Sequence, residues 1–230
     1  MLRAALLDFN GVLVDDEPLH LRLLQRVLSE EGLEPFTEEE YWRLYVGLDD
    51  RAVFRALLAR AGGPADEPRL MRWIARKSSY YQEEVRRAGY PFFPGAAEAV
   101  RALAGAGLPL GIVSGALRDE VEGALVLAGL RDAFKVLVTA EDVAASKPDP
   151  EGYRRGLQAL NAAPPLPERL LHPHEVLAIE DTPAGLQAAT TAGLTTLALA
   201  HTYPKDQLEA DHLLDKIADL RVQDLLAIAV

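Results

Sequence analysis

Leu2-Arg3-Ala4-Ala5-Leu6-Leu7-Asp8-Phe9-Asn10-Gly11-Val12-Leu13-Val14-Asp15 decides how the rest of the chain is read. A short apolar run stops at a carboxylate, turns through Asn10-Gly11, takes a second apolar step and stops at another carboxylate. A run of this length bounded by turn residues reads as a buried strand of the parallel kind, and Asn-Gly supplies the turn. Ligands of open α/β sheets sit just beyond the carboxyl ends of the strands, which is where Asp8 falls. Taken alone, Asp8 also has a plainer reading, as a cap on the following turn.

Outward from this strand the pattern changes to helical. Asp16-Glu17-Pro18 reads as a helix start, with Leu19, Leu23, Leu24, Val27 and Leu28 at helical spacing and an end near Gly32. Thr37 followed by Glu38-Glu39-Glu40 reads as an N-cap with an acidic first turn. Further helices are predicted over Asp49 to Ala61 and Glu67 to Ala88, and no strand between Asp16 and Ala88. From Gly95 onward helix and strand alternate: helix 96–106, strand 109–113, helix 117–128, strand 134–138, helix 151–160, strand 176–180, helix 183–192 and strand 195–199. Alternation of this kind implies parallel strands with crossover helices. Asn161 to Pro167 reads as a proline-rich loop. Asp211 to Val230 reads as a short strand or turn and then a helix packing Leu220, Leu225, Leu226 and Ile228. The expected fold class is therefore α/β, a doubly wound, mostly parallel Rossmann-like sheet with an inserted all-helical cap domain. Residues 1–15 and 91–230 form the expected core and 16–90 the cap. An insert joined at two hinges, near residues 15–18 and 88–94, is suited to opening and closing over the strand ends.

Composition narrows the function. The chain has 230 residues, 49% hydrophobic, enough for a sizeable buried core. It contains no cysteine, which excludes disulfides, thiolate metal sites and a cysteine nucleophile and suits a cytoplasmic location. The first apolar run is too short for a signal peptide and no stretch is long and apolar enough to span a membrane. The net charge of −11 makes nucleic acid a poor partner.

The ends of the apolar strands collect a short list of polar residues. Strand one ends in Asp8 and Asn10. Gly111-Ile112-Val113 ends in Ser114-Gly115-Ala116. Val136-Leu137-Val138 leads through Thr139 to Ser146-Lys147-Pro148, and Val176-Leu177-Ala178-Ile179 ends in Glu180-Asp181-Thr182. In a parallel sheet all four ends lie on one edge. Carboxylates crowded together repel unless a cation lies between them, and hard oxygen ligands suit Mg²⁺. Ser114 and the amides after it, Gly115 and Ala116, can hold phosphate oxygens at a helix start, with Lys147 adding a point charge. Asp8 can then attack phosphorus and form an aspartyl-phosphate. Each piece has a plainer reading: Ser114 as a helix cap, Lys147 as a solvated loop lysine, Glu180-Asp181 as the cap of the next helix.

Asp8-Phe9-Asn10-Gly11-Val12, Val113-Ser114-Gly115, Ser146-Lys147-Pro148-Asp149-Pro150 and Ile179-Glu180-Asp181-Thr182-Pro183-Ala184-Gly185 resemble the four motifs of the haloacid dehalogenase (HAD) superfamily. The helical insert resembles the C1 cap of its phosphatase and β-phosphoglucomutase-like (CbbY-like) branch. The resemblance implies Asp8 as nucleophile, Ser114 and Lys147 as phosphate ligands, and Mg²⁺ held by Asp8, the backbone carbonyl of Asn10, and Asp181 with Glu180. One position departs from the pattern. Family phosphatases usually carry aspartate two residues after the nucleophile, to protonate the leaving group and activate water; here it is Asn10, whose amide cannot trade a proton. His20, Asp16 and Glu17 are the nearest candidate substitutes.

The expected activity is that of a Mg²⁺-dependent phosphatase acting on a small phosphorylated metabolite, as a monomer. A phosphohexose mutase and a low-activity protein that binds a phosphorylated ligand are the alternatives. In the cap, Arg51, Arg76 and Lys77 are candidates for substrate contact or else solvated helix faces. Arg118, at the start of the helix after Ser114, is a candidate anion ligand. His172 and His174 read as loop surface, not a metal site.

Overall fold

The computed structural model describes residues 1–60 and 66–227. The chain divides into two compact units, Met1–Asp15 with Phe92–Val230, and Asp16–Pro91. In chain order, β1 (Ala4–Leu7) is followed by α1 (Glu17–Glu30), α2 (Glu38–Leu44), α3 (Asp50–Arg60) and α4 (Glu67–Ala88). Then come α5 (Ala96–Gly105), β2 (Leu110–Val113), α6 (Arg118–Leu127), β3 (Phe134–Val138), α7 (Glu151–Ala162), β4 (Val176–Glu180), α8 (Pro183–Thr191), β5 (Thr195–Leu199), β6 (His212–Leu214) and α9 (Val222–Leu226). Among the described residues no helix is long and apolar enough to cross a membrane.

The first unit is built on a six-stranded sheet of order β3-β2-β1-β4-β5-β6, with every pairing parallel. Each β1 residue is buried, as expected of a strand covered on both faces. Ala4 and Leu6 pack with Tyr153 and Leu160 of α7 and with Ala188 and Ala189 of α8. The chain winds outward from β1 to β2 and β3, then returns to β1's other side with β4, so the strand order reverses at β1. In a doubly wound sheet that reversal opens a crevice at the carboxyl ends.

Among its described residues the second unit contains helices joined by turns and no strand. Thr37 and Glu40 form a reciprocal capping box, the Thr37 hydroxyl accepting from Glu40 N–H at 3.1 Å and the Glu40 carboxylate accepting from Thr37 N–H at 3.0 Å. In α4, Leu70, Trp73, Ile74, Lys77, Tyr81 and Val85 fall on one face, and all are buried. Gly89 ends that helix with φ 81°.

Two readings of the sequence shift. α7 runs on through Asn161 and Ala162, so the irregular segment begins later than Asn161. The Asn161 side chain both donates to Leu171 O (3.1 Å) and accepts from Leu171 N–H (2.8 Å), which satisfies it without ending the helix. Of the terminal apolar residues, Leu220 and Leu225 are buried and Leu226 partly so; Ile228 and the expected helix end at Ala61 lie outside the described residues.

Candidate active site

Register brings the strand-end residues level. Leu7 pairs with Ile179 on one side and Ile112 on the other. One residue further on, Asp8 therefore stands beside Glu180, and its N–H continues the ladder to Ile179 O at 3.0 Å. Ser114 extends β2 in the same way, donating its N–H to Val138 O at 3.0 Å.

After Asp8 the backbone closes on itself. Val14 N–H donates to Phe9 O (3.1 Å) and Gly11 N–H to Val14 O (2.9 Å). Gly11 has φ 71°, and a Cβ there would sit 1.8 Å from Asp181 Oδ2, so the Asp181 carboxylate rests on bare backbone. Gly185 plays the same part for Glu180, whose carboxylate lies 2.1 Å from where a Cβ would be. Both motif glycines are thus explained by the acidic side chains that occupy their space.

Lys147 lies among these groups. Its ammonium is 2.8 Å from Asp8 Oδ2 and 2.6 Å from Glu180 Oε1, and donates to Val113 O at 3.0 Å. Burial disfavours its charge, but the two carboxylates outweigh that and raise its pKa. Glu180 is fully buried, and burial raises its pKa against the pull of Lys147. The Tyr153 hydroxyl, its own ionisation suppressed by burial and the Glu180 charge, donates to Glu180 Oε1 at 2.6 Å. Asp8, Glu180 and Asp181 each offer an oxygen within 4.8 Å of the others, and all three are buried. Three carboxylates against one ammonium leave an excess of negative charge among hard oxygen donors. The donor set therefore fits a divalent cation.

The β2–α6 turn supplies the hydroxyl. Ser114 Oγ lies 3.4 Å from Asn10 Oδ1 and accepts from Ala116 N–H at 3.1 Å. The second of the amides read from the sequence as an anion cradle is thereby bonded back to Ser114, as in a small cap.

The pattern of haloacid dehalogenase-like hydrolases matches residues 5–199. The chain belongs to that family. It is 31% identical to the validoxylamine A 7'-phosphate phosphatase of Streptomyces hygroscopicus subsp. limoneus, over 96% of this chain and 97% of that one. It is also 31% identical to hexitol phosphatase B of Escherichia coli strain K12, over 97% and 96%. The crystal structure of a CbbY variant from Rhodobacter sphaeroides in complex with xylulose-(1,5)-bisphosphate is 27% identical, covers 96% of both chains and superposes with a TM-score of 0.82. Phosphatases of the superfamily use a divalent metal.

In this HAD-like hydrolase the structure brings Asp8, Asn10, Ser114, Lys147, Glu180 and Asp181 together, and gives the other candidates partners of their own. Arg118 is turned to Asp142 (2.6 Å) and to Leu137 O (3.4 Å), not to Ser114. Arg51 pairs with Glu67 at 3.7 Å. His20 belongs to the helical unit, stacked on Tyr81, with Nε2 3.2 Å from Asp16 Oδ2 and Nδ1 2.6 Å from Lys77 Nζ. Asp16 also accepts from the Tyr81 hydroxyl at 2.6 Å, and Glu17 accepts from Tyr41. Burial and Lys77 press the His20 pKa down, Asp16 and Glu17 push it up, and the net direction is upward. Lys77 is not a solvated lysine: it is buried and paired with Asp50. Arg76 pairs with Glu31 at 2.9 Å.

Three residues around the site were not singled out from the sequence. Tyr153 reaches Glu180 from a helix face and carries no local signal. His201 and Thr202 follow β5, and reading the end of that strand as the other four were read would have found them. His201 Nδ1 lies 2.7 Å from Gly11 O, and the Thr202 hydroxyl donates to Asp181 Oδ2.

Proposed function

We propose that this protein is a Mg²⁺-dependent phosphatase for small phosphorylated sugars or polyols, working through an aspartyl-phosphate on Asp8. The observation that carries the reading is the Asp8 carboxylate, buried at the end of β1 with Lys147 at 2.8 Å and Asp181 within metal-sharing distance. The named phosphatase relatives over nearly the whole chain support the substrate class.

Asp8 would attack phosphorus in line, forming an O–P bond while the ester P–O bond breaks and the leaving oxygen takes a proton. Water would then cleave the acyl phosphate, returning Asp8 and releasing phosphate. Lys147 and Ser114 would hold the phosphoryl oxygens, with Lys147 also paired to the Asp8 carboxylate. Asp8, the Asn10 carbonyl and Asp181, with Glu180, would hold the cation. When bound, the cation neutralises these carboxylates and draws charge from the phosphoryl group. Glu180 is already engaged by Lys147 and Tyr153, so its larger part is to fix the lysine.

Asn10 favours a second reading. Its amide can accept from Ser114 but cannot donate a proton to the leaving oxygen or take one from water. A protein so built would bind a phosphorylated ligand well and turn it over slowly, with a phosphohexose mutase more impaired still. The deciding experiment is phosphate release from a panel of sugar and hexitol phosphates with and without Mg²⁺, using Asp8→Asn as the blank. Mg²⁺-dependent release lost in Asp8→Asn supports the phosphatase. Ligand binding without release supports the slow binder.

A further inference from the structure

Past β5 the chain runs through Ala200-His201-Thr202, beyond the residues 5–199 that the family pattern covers. His201 Nδ1 lies 2.7 Å from Gly11 O, which only accepts, so that nitrogen carries the proton. Ile217 N–H points at Nε2 from 3.2 Å, which makes Nε2 the acceptor. Both ring nitrogens are assigned, and the ring is the neutral Nδ1–H tautomer, stacked on Phe93 with centroids 4.0 Å apart. Burial lowers its pKa, in keeping with a neutral ring.

One residue later, the Thr202 hydroxyl donates to Asp181 Oδ2, the same oxygen that fills the Cβ space of Gly11. Two consecutive residues thus grip the two halves of the acidic cluster. His201 fixes the carbonyl of the loop that carries Asp8 and Asn10, and Thr202 fixes the carboxylate lying on that loop. Within the loop the Gly11 N–H is held by Val14 O, and the Gly11 carbonyl is held from outside the loop by His201.

We propose that His201 and Thr202 are positioning residues for cation binding, holding the Asn10-Gly11 loop and the Asp181 carboxylate in one fixed geometry. This rests on the reading of Asp8, Asn10 and Asp181 as cation ligands. Groups that orient a ligand through hydrogen bonds typically change metal affinity 10- to 100-fold when removed. Neither side chain touches the phosphate or the cation in this scheme; each acts through a neighbour.

The test is Mg²⁺ affinity by titration calorimetry on the whole protein, with folding checked by circular dichroism before metal is added. Thr202→Val keeps shape and loses the hydroxyl, and Thr202→Ser keeps the hydroxyl. His201→Phe keeps the stack on Phe93 and loses both hydrogen bonds, and the amide nitrogen of His201→Asn reaches the Nδ1 position. Thr202→Val and His201→Phe are expected to weaken Mg²⁺ binding by about tenfold or more. Thr202→Ser should stay close to the wild type, and His201→Asn should bind Mg²⁺ more tightly than His201→Phe. Unchanged affinity in Thr202→Val and His201→Phe overturns the proposal. So does equal weakening in Thr202→Val and Thr202→Ser, which would make the role one of packing. Should a His201 variant fail to fold, the Thr202 pair decides. Asp181→Ala separates the two levels. Affinity unchanged there sinks the cation site itself and this proposal with it, whereas affinity lost there but kept in Thr202→Val sinks the positioning role alone.

Discussion

Asn10 places an amide where the proposed cycle calls for a proton carrier. In the proposed cycle the amide would leave both proton transfers without a carboxyl to carry them, and a general acid/base contributes roughly 10²- to 10⁴-fold in rate. Asn10→Asp is therefore expected to raise turnover of sugar phosphates by about 10²-fold or more. The gain should be smaller for nitrophenyl phosphate, whose leaving group departs without a proton. Asp8→Asn should abolish turnover in either background. Equal steady-state rates for wild type and Asn10→Asp would mean that another group already transfers the proton. His20, Asp16 and Glu17 are less free for that than the sequence suggested, since each is held by buried partners: Lys77 and Tyr81 on His20, Tyr81 on Asp16, Tyr41 on Glu17. Most of the site was legible residue by residue, because a polar residue directly after an apolar run falls at a strand end whatever the rest of the chain does. Asp8, Ser114, Glu180 and Asp181 were found by that rule alone. Tyr153 was not legible, because its hydroxyl meets Glu180 across 27 residues of chain and only packing creates the contact. Lys77 was readable as a substrate contact or a solvated helix face; α4 carries it on the buried face.

The β4–α8 connection shows how an element's local rules serve the site. Thr182 caps α8 by accepting from Gly185 N–H at 3.1 Å, and Pro183 opens the helix where its missing N–H costs nothing. The cap draws Gly185 back against the Glu180 carboxylate, which lies 2.1 Å from a Cβ that alanine would add. Gly185→Ala should therefore fold, since helical torsions suit alanine, yet push Glu180 away from Lys147 and Tyr153. The expected result is a lowered thermal midpoint together with a loss of turnover larger than the stability change explains. Turnover equal to wild type would show that Glu180 can shift without consequence. Thr182→Ala, which removes the cap, should cost about 1 kcal/mol in denaturant unfolding of the sheet unit. Elements of this kind were legible because caps, glycines and prolines act within a few residues. The end of α7 was not, since Asn161 takes both its hydrogen bonds from Leu171, ten residues further on, and does not break the helix.

For the molecule as a whole, the amino ends of β1 and β4 carry a charge arrangement that ties stability to pH. Arg3 precedes β1, Glu175 precedes β4, and Arg169 comes from the segment between α7 and β4. Arg169 forms an ion pair with Glu175, Arg3 lies 3.5 Å from it, and His172 N–H donates to it at 3.0 Å. Arg169 first, then the His172 amide, holds the Glu175 pKa down to about 2 from an ordinary 4.5. A carboxylate with a lowered folded-state pKa stabilises the fold above its unfolded value and loses that contribution as the pH falls towards its folded value. Glu175→Gln keeps an oxygen for the His172 amide and removes the charge. The thermal midpoint of the wild type should therefore exceed that of Glu175→Gln at neutral pH, with the gap shrinking between pH 4.5 and about 2. The acid-induced repulsion among the chain's 24 lysines and arginines acts on both proteins and cancels in the difference. Added salt should narrow the gap at neutral pH, because the guanidinium of Arg169 is largely exposed and its attraction is screened, while the amide contact persists. A gap independent of pH across that window would mean that Glu175 acts through packing and hydrogen bonding, not through its charge.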